Sequence, residues 1–238
     1  MAEWAPKRFW KETQVVPAEG GWTVQLDGRA VKTPAKAPLV VPTRALAEAI
    51  AAEWQAQEDK VDPATMPFTR AANAAIDKVT VQFDEVAAML ASYGDSDLLC
   101  YRAEGPEGLV ARQAEAWDPL LDWVAEAFGA PLTPVSGVMH AAQPEQSLKA
   151  LEARVRALTP FEMTAFHDLV TISGSLVIGL AAVEGRAGTD VLWPLSRIDE
   201  DWQAEQWGRD DEAAEHAELR REAFEHAGRF FDLTRRAD

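Results

Sequence analysis

The strongest constraint on this chain is a change of period in its apolar pattern. Trp22-Thr23-Val24-Gln25-Leu26 alternates bulky apolar with polar side chains, Asp27-Gly28 follows, and Arg29-Ala30-Val31-Lys32-Thr33 resumes the alternation. A two-residue connection between such runs requires positive φ at both positions. Asp tolerates this and Gly adopts it freely, so the segment predicts a β-hairpin. Leu39-Val40-Val41 predicts a further short strand, with Pro34, Pro38 and Pro42 at strand edges where no ladder N–H is needed. From Thr43 the spacing becomes four. Leu46, Ile50 and Trp54 fall on one helical stripe, and Thr43 stands where a helix cap belongs.

Helical patterning then dominates. Val61 to Phe68 holds two prolines and reads as an extended connection, with helices expected near Thr69 and near Asp84. Gly94-Asp95-Ser96 ends the second, and Leu98-Leu99-Cys100-Tyr101 reads as a short buried strand or the start of another helix. Leu109 to Phe128 is amphipathic, with Asp118-Pro119 expected to kink or restart it, and Gly129 to Pro144 reads as a loop. Glu145 to Leu158, Phe161 to Val183 and Val191 to Leu233 complete the helical set, the last open to a break near Gly208. The fold class is α+β: a small N-terminal β-rich domain, residues 1–60, followed by a larger C-terminal α-helical domain, residues 61–238. The boundary falls somewhere within 42–95.

A hydrophobic share of 47% and a charged share of 26% over 238 residues can build a core without staples, and the single cysteine, Cys100, excludes an internal disulfide framework. Net charge is −16, unevenly spread: residues 1–50 carry seven basic and five acidic side chains, so the remainder carries −18. Such a surface repels phosphate backbones and anionic lipid, which argues against nucleic acid or membrane insertion; it either suits a basic protein partner or serves solubility alone. Met1 to Lys11 has no apolar run of the kind a secretory signal needs, and Leu169 to Val183 is shorter than a bilayer span requires. A buried helix, in a soluble protein, is expected there.

The phosphate-cradling G-x-x-x-x-G-K-[ST] pattern, G-x-G-x-x-G and the G-x-S-x-G elbow are all absent, so no nucleotide is expected. Gly174, Ser175 and Gly179 lie in the apolar run, where small side chains permit close packing. Glu212 and His216, and Glu222 and His226, are paired at i, i+4, which gives a charged helical face more readily than the i, i+3 pairs of a carboxylate-bridged metal site. Cys100 between Leu99 and Tyr101 reads as a buried small hydrophobe, and Asp95 and Asp97 as turn and cap residues. No cofactor, metal or catalytic residue is assigned.

Nine tryptophans against two tyrosines remain to be explained. Trp202 and Trp207 sit within Asp199-Glu200-Asp201-Trp202-Gln203-Ala204-Glu205-Gln206-Trp207-Gly208, ahead of Asp210-Asp211-Glu212. On a helix the two rings lie about 140° apart, so one can bury while the other, or the acidic face, meets a partner. Both rings as core anchors is the alternative.

Leu26 to Leu39, LDGRAVKTPAKAPL, resembles a signature of the alpha-subunit assembly chaperones of ATP synthase. Ala52 to Gln57, Met66 to Asn73, Tyr93 to Arg102, and Ser196 to Gln203 with Trp207-Gly208 resemble its further landmarks, in order. The resemblance implies a protein that binds the free alpha subunit of the F1 sector, prevents its aggregation and yields to a beta subunit on assembly. It also implies an N-terminal β-rich and a C-terminal helical domain, and a location in the bacterial cytoplasm, or in the mitochondrial matrix for eukaryotic relatives. The family's acidic cluster is best matched by Asp199 with Glu200 and Asp201, where the family pattern favours glutamates; Asp211 matches a later acidic position. The partner-binding set is Asp199, Glu200, Asp201, Trp202, Glu205, Trp207 and Asp211, while Trp54 is expected to brace the core. The competing readings are a metal-dependent hydrolase using carboxylates and histidines of the last helix, and a scaffold module with an unrelated acidic interface.

Overall fold

The structure is a computed structural model that describes residues 7–235. The reading of Met1 to Lys11 therefore lies partly outside the described residues. The chain divides into two compact units that are not contiguous in sequence. One comprises Met1–Phe83, Thr159–Ala165 and Arg229–Asp238, the other Asp84–Leu158 and Phe166–Gly228.

In the first unit, strands β1 (Thr13–Ala18), β2 (Gly21–Leu26), β3 (Arg29–Ala30) and β4 (Val40–Val41) form an antiparallel sheet in which β2 pairs with all three others. The expected hairpin is present: Asp27 and Gly28 have φ of 47° and 80°, and Leu26 pairs with Arg29. Asp27 also accepts hydrogen bonds from the backbone N–H groups of Lys11 and Glu12, which hold its carboxyl below the ordinary range. The sequence pattern did not single out β1, which pairs along its whole length from Thr13↔Leu26 to Ala18↔Gly21. Gly21 lets β4 close on β2, since a Cβ there would lie 2.2 Å from the Val41 carbonyl oxygen.

Helix α1 (Arg44–Ala56) packs against this sheet, with Leu46 and Ile50 buried. Thr43 caps it as the sequence predicts, its Oγ1 accepting from Leu46 N at 3.1 Å. Trp54 is only half-buried and meets the buried Trp10 edge-on, with ring centroids 5.2 Å apart. Helix α2 (Pro67–Ala74) continues into a wider π-turn at Ala75–Val79. Glu53 of α1 caps α2 by accepting from the Phe68 and Thr69 N–H groups and the Thr69 hydroxyl, at 2.6–2.7 Å, while partial burial raises its pKa. Two separated sequence landmarks are thus joined by one carboxylate.

The second unit is helical: α3 (Phe83–Ser92), α4 (Glu107–Phe128), α5 (Glu145–Arg156), α6 (Pro160–Ser173), α7 (Leu176–Val183), α8 (Thr189–Leu195), α9 (Ile198–Trp207) and α10 (Asp211–Arg235). The ends of α6 and α10 contribute residues to the first unit. Leu98–Cys100 is a 3₁₀ turn leading into β5 (Tyr101–Arg102), which pairs in parallel with β6 (Val135–Ser136), inside the segment read as a loop.

The three long helical runs follow the expected pattern in part. Helix α4 runs through Asp118-Pro119 without a restart. Phe161 to Val183 is two helices, because Gly174 turns with φ 74° and the Ser175 Oγ then caps α7 by accepting from Ile178 N at 3.0 Å. Val191 to Leu233 is three: the break near Gly208 is present, and a further corner at Ser196-Arg197 is added to it. Among the described residues, no helix is long and apolar enough to cross a membrane. Gly179 does serve close packing, since a Cβ there would lie 2.6 Å from Val170 Cγ2.

Candidate functional site

Helix α9 carries most of the predicted partner-binding residues, and its first turn, Asp199, Glu200 and Asp201, places three carboxylates at the positive end of the helix dipole. Gly208, at φ 95°, ends the helix and donates to the Ala204 carbonyl at 3.0 Å.

One face of α9 is docked on α4. Ile198 is buried. Asp199 is half-buried and accepts from Gln113 Nε2 at 2.6 Å, while the Gln113 Oε1 accepts from Ala103 N at 2.8 Å. Gln113 is only 1% exposed, so Asp199 sits at the end of a fixed polar chain. Trp202 is half-buried over Gly108, whose missing side chain makes room for it: a Cβ there would lie 2.9 Å from the indole ring. Glu205 receives both its carboxylate contacts from Arg112, at 2.8 and 2.9 Å.

The opposite face is open. At about 100° per residue, Glu200 and Trp207 lie within about 20° of each other and roughly opposite the docked stripe. Trp207 is 80% exposed. Glu200 is exposed and pairs with Arg197 at 2.7 Å, and Asp201 is exposed beside it. Asp211 is exposed at the start of α10, which Asp210 caps by accepting from Ala213 N at 3.0 Å. The structure therefore separates the predicted set. Asp199 and Trp202 are docked against α4, Glu205 reaches Arg112 from an exposed position, and Glu200, Asp201 and Trp207 face solvent, with Asp211 beyond the corner.

That corner borders an open cleft of about 440 Å³ lined by Arg197, Asp210, Glu212, His216 and Arg220, among others. Arg197 lies over the Trp193 ring, 5.7 Å from its centroid, and Arg220 donates to the Ile172 carbonyl at 2.5 Å. Sequence reading gave neither arginine a role, although Arg197 lies within the Ser196 to Gln203 landmark. The spacing of Glu212, His216 and Arg220 at four-residue steps was the available signal.

Groups considered for catalysis have structural partners. Cys100 is buried, which pushes its thiol up to about 12, with the Asp97 charge adding to the effect. No useful thiolate forms near neutral pH. Asp97 is fully buried and accepts from Leu99 N, the Ser175 hydroxyl and Val177 N, so it caps both the 3₁₀ turn and α7. Asp95 accepts from Gln143 N at 2.8 Å. Among the described residues, no three His, Cys, Asp or Glu side chains are grouped to hold a metal ion.

The comparisons with known proteins agree with one another. The family described as "ATP12 chaperone protein" matches residues 7–125. "Protein atp12, mitochondrial" from Schizosaccharomyces pombe is 26% identical over 221 residues, covering 88% of this chain and 76% of the relative. The crystal structure of Atp12 from Paracoccus denitrificans superposes with a TM-score of 0.95 at 53% identity, covering 98% of this chain and 100% of that one. An aspartate-to-lysine variant of P. denitrificans Atp12p gives 0.94 at 52% identity, covering 96% of this chain and 98% of the other.

Proposed function

The chain belongs to the ATP12 chaperone family, and from that premise we propose that it binds the free alpha subunit of ATP synthase and covers its assembly surface until a beta subunit takes its place. The observation that carries this reading is the open stripe of α9. A large indole, Trp207, stands 80% exposed on the same stripe as Glu200, about two turns further along a helix whose other face is fastened to α4. An exposed tryptophan on a fixed helix offers contact area at little entropic cost, the property that makes Trp frequent among binding hot spots.

A subunit destined for a ring exposes, while alone, an interface patch that aggregates. A chaperone must cover that patch and still be displaceable. Carboxylates at Glu200, Asp201 and Asp211 speed the encounter with a basic surface, and one principal aromatic contact keeps the complex short-lived enough for exchange. Displacement then follows from competition by beta and needs no nucleotide. Bond-making has no part in this mechanism, in keeping with a family described as a chaperone. The chain would act wherever alpha is released, the cytoplasm in a bacterium or the matrix in a mitochondrion.

Co-expression with the alpha subunit from the same source tests the proposal. The two proteins should co-purify, and added beta subunit should release the chaperone. Alpha that remains insoluble, or capture of unfolded proteins with no preference for alpha, would contradict it.

A further inference from the structure

The segment from Gly129 to Pro144 runs from the end of α4 through β6 to the start of α5. It contains no Asp, Glu, Lys or Arg, in a chain of which 26% is charged. It is also firmly tied. The buried Gln143 accepts from Thr133 N at 2.7 Å and donates to the Thr133 carbonyl at 3.0 Å. The Ser147 hydroxyl donates to the Pro131 carbonyl at 2.7 Å, and Gly137 N donates to the Arg102 carbonyl at 2.8 Å. On the far side of the tip, His140 Nδ1 bonds the Tyr101 hydroxyl at 3.2 Å, and its Nε2 faces Asp95 at 3.4 Å.

Between these anchors, Val138 and Met139 are 91% and 80% exposed. The bonds that order the loop leave both side chains outside, so the ordering cost of presenting them to a partner is largely met before binding. Two carboxylates border the tip. The Glu104 carboxylate lies against Gly137, 3.4 Å from where a Cβ would stand, and Asp95 lies beside His140. The neighbouring Arg102 is engaged by Asp118 at 2.7 Å with its side chain mostly covered. An uncharged apolar centre inside a polar rim is the composition of a protein–protein contact, and Met is a side chain enriched there. Carboxylates on this rim call for basic groups opposite.

We propose that Val138 and Met139 form a second client contact, a preorganised knob that enters an apolar pocket bordered by basic side chains on the client protein. The proposal rests on the chaperone reading above and deepens it, since it assigns to the client a second contact site besides the one that meets α9.

The test measures binding of the isolated alpha subunit to the full chain and to the double variant Val138→Ser, Met139→Ser. The variant should keep the wild-type melting temperature, because both side chains are exposed, and bind alpha about tenfold or more weakly. Equal binding by variant and wild type would overturn the knob while leaving the chaperone reading intact. No binding by the wild type would remove both. A wild-type dimer that becomes monomeric in the variant, with alpha affinity unchanged, would assign the pair to self-association and overturn the proposal. As a second readout, Val138→Cys can be labelled with an environment-sensitive dye, Cys100 being buried. Alpha should shift the emission to the blue, and unchanged emission in a formed complex would count against the knob.

Discussion

Asp97 shows how a single buried side chain can hold two elements and leave a signature in pH. Its carboxylate receives three donors, one from the 3₁₀ turn at Leu98–Cys100 and two at the start of α7, yet full burial outweighs them and pushes its pKa from 3.8 to about 6. The native state therefore holds this proton more tightly than the unfolded chain does. The associated stability is fully present below about pH 4 and is lost as pH rises through about 6. Denaturant unfolding of the wild type and Asp97→Asn at about pH 4.5 and about pH 7.5 isolates the effect. The wild type should lose about 2 kcal/mol relative to the variant between the two conditions, a figure from the size of the shift. Parallel pH profiles would mean that the carboxyl titrates alike in both states. Cys100 is the simpler companion case: its neighbours Leu98, Leu99 and Tyr101 already marked it as buried, and the structure agrees.

At the scale of elements, what could be read from the sequence depended on how local the information was. The Asp27-Gly28 hairpin and the Thr43 cap are encoded within a few residues, and both formed as expected. Strand β1 was not singled out because Val15 and Val16 are adjacent and Pro17 follows, which blurs the two-residue period of an edge strand. The break between α6 and α7 was masked for a different reason. Seven of the eight residues of α7 are buried, so no polar face marks a phase and only Gly174-Ser175 punctuates the run. In α9 the angle between Trp202 and Trp207 was legible, but which ring turns inward was not. That is decided by Gly108 on α4, far away in the sequence. Gly179 gives a prediction at this scale. Gly179→Ala gains about 1 kcal/mol of helix propensity, but its methyl would meet Val170 Cγ2 at 2.6 Å and Phe166 Cε2 at 3.0 Å, both on buried side chains. The net result should be a loss of about 1–2 kcal/mol in denaturant unfolding. A stabilised variant would show that α6 and α7 can separate without cost.

Across the whole molecule, charge and exposed apolar surface together favour a protein client. Net charge is −16, with the excess of acid after residue 50, and the exposed Trp207, Val138 and Met139 all belong to the helical unit. The sequence alone carried the family resemblance and the acidic segment, but it could not divide that segment into docking and outward residues, because the division depends on contacts with α4. The central claim is that the outward stripe of α9 shields the client's assembly surface. Light scattering of the isolated alpha subunit, titrated with this chain and with its Glu200→Lys, Trp207→Ala variant, tests it most directly. Wild-type chain should hold scattering at baseline near one copy per alpha, and the variant should need about tenfold more. A variant that protects alpha as well as the wild type does, while its fold is unchanged, would contradict the account.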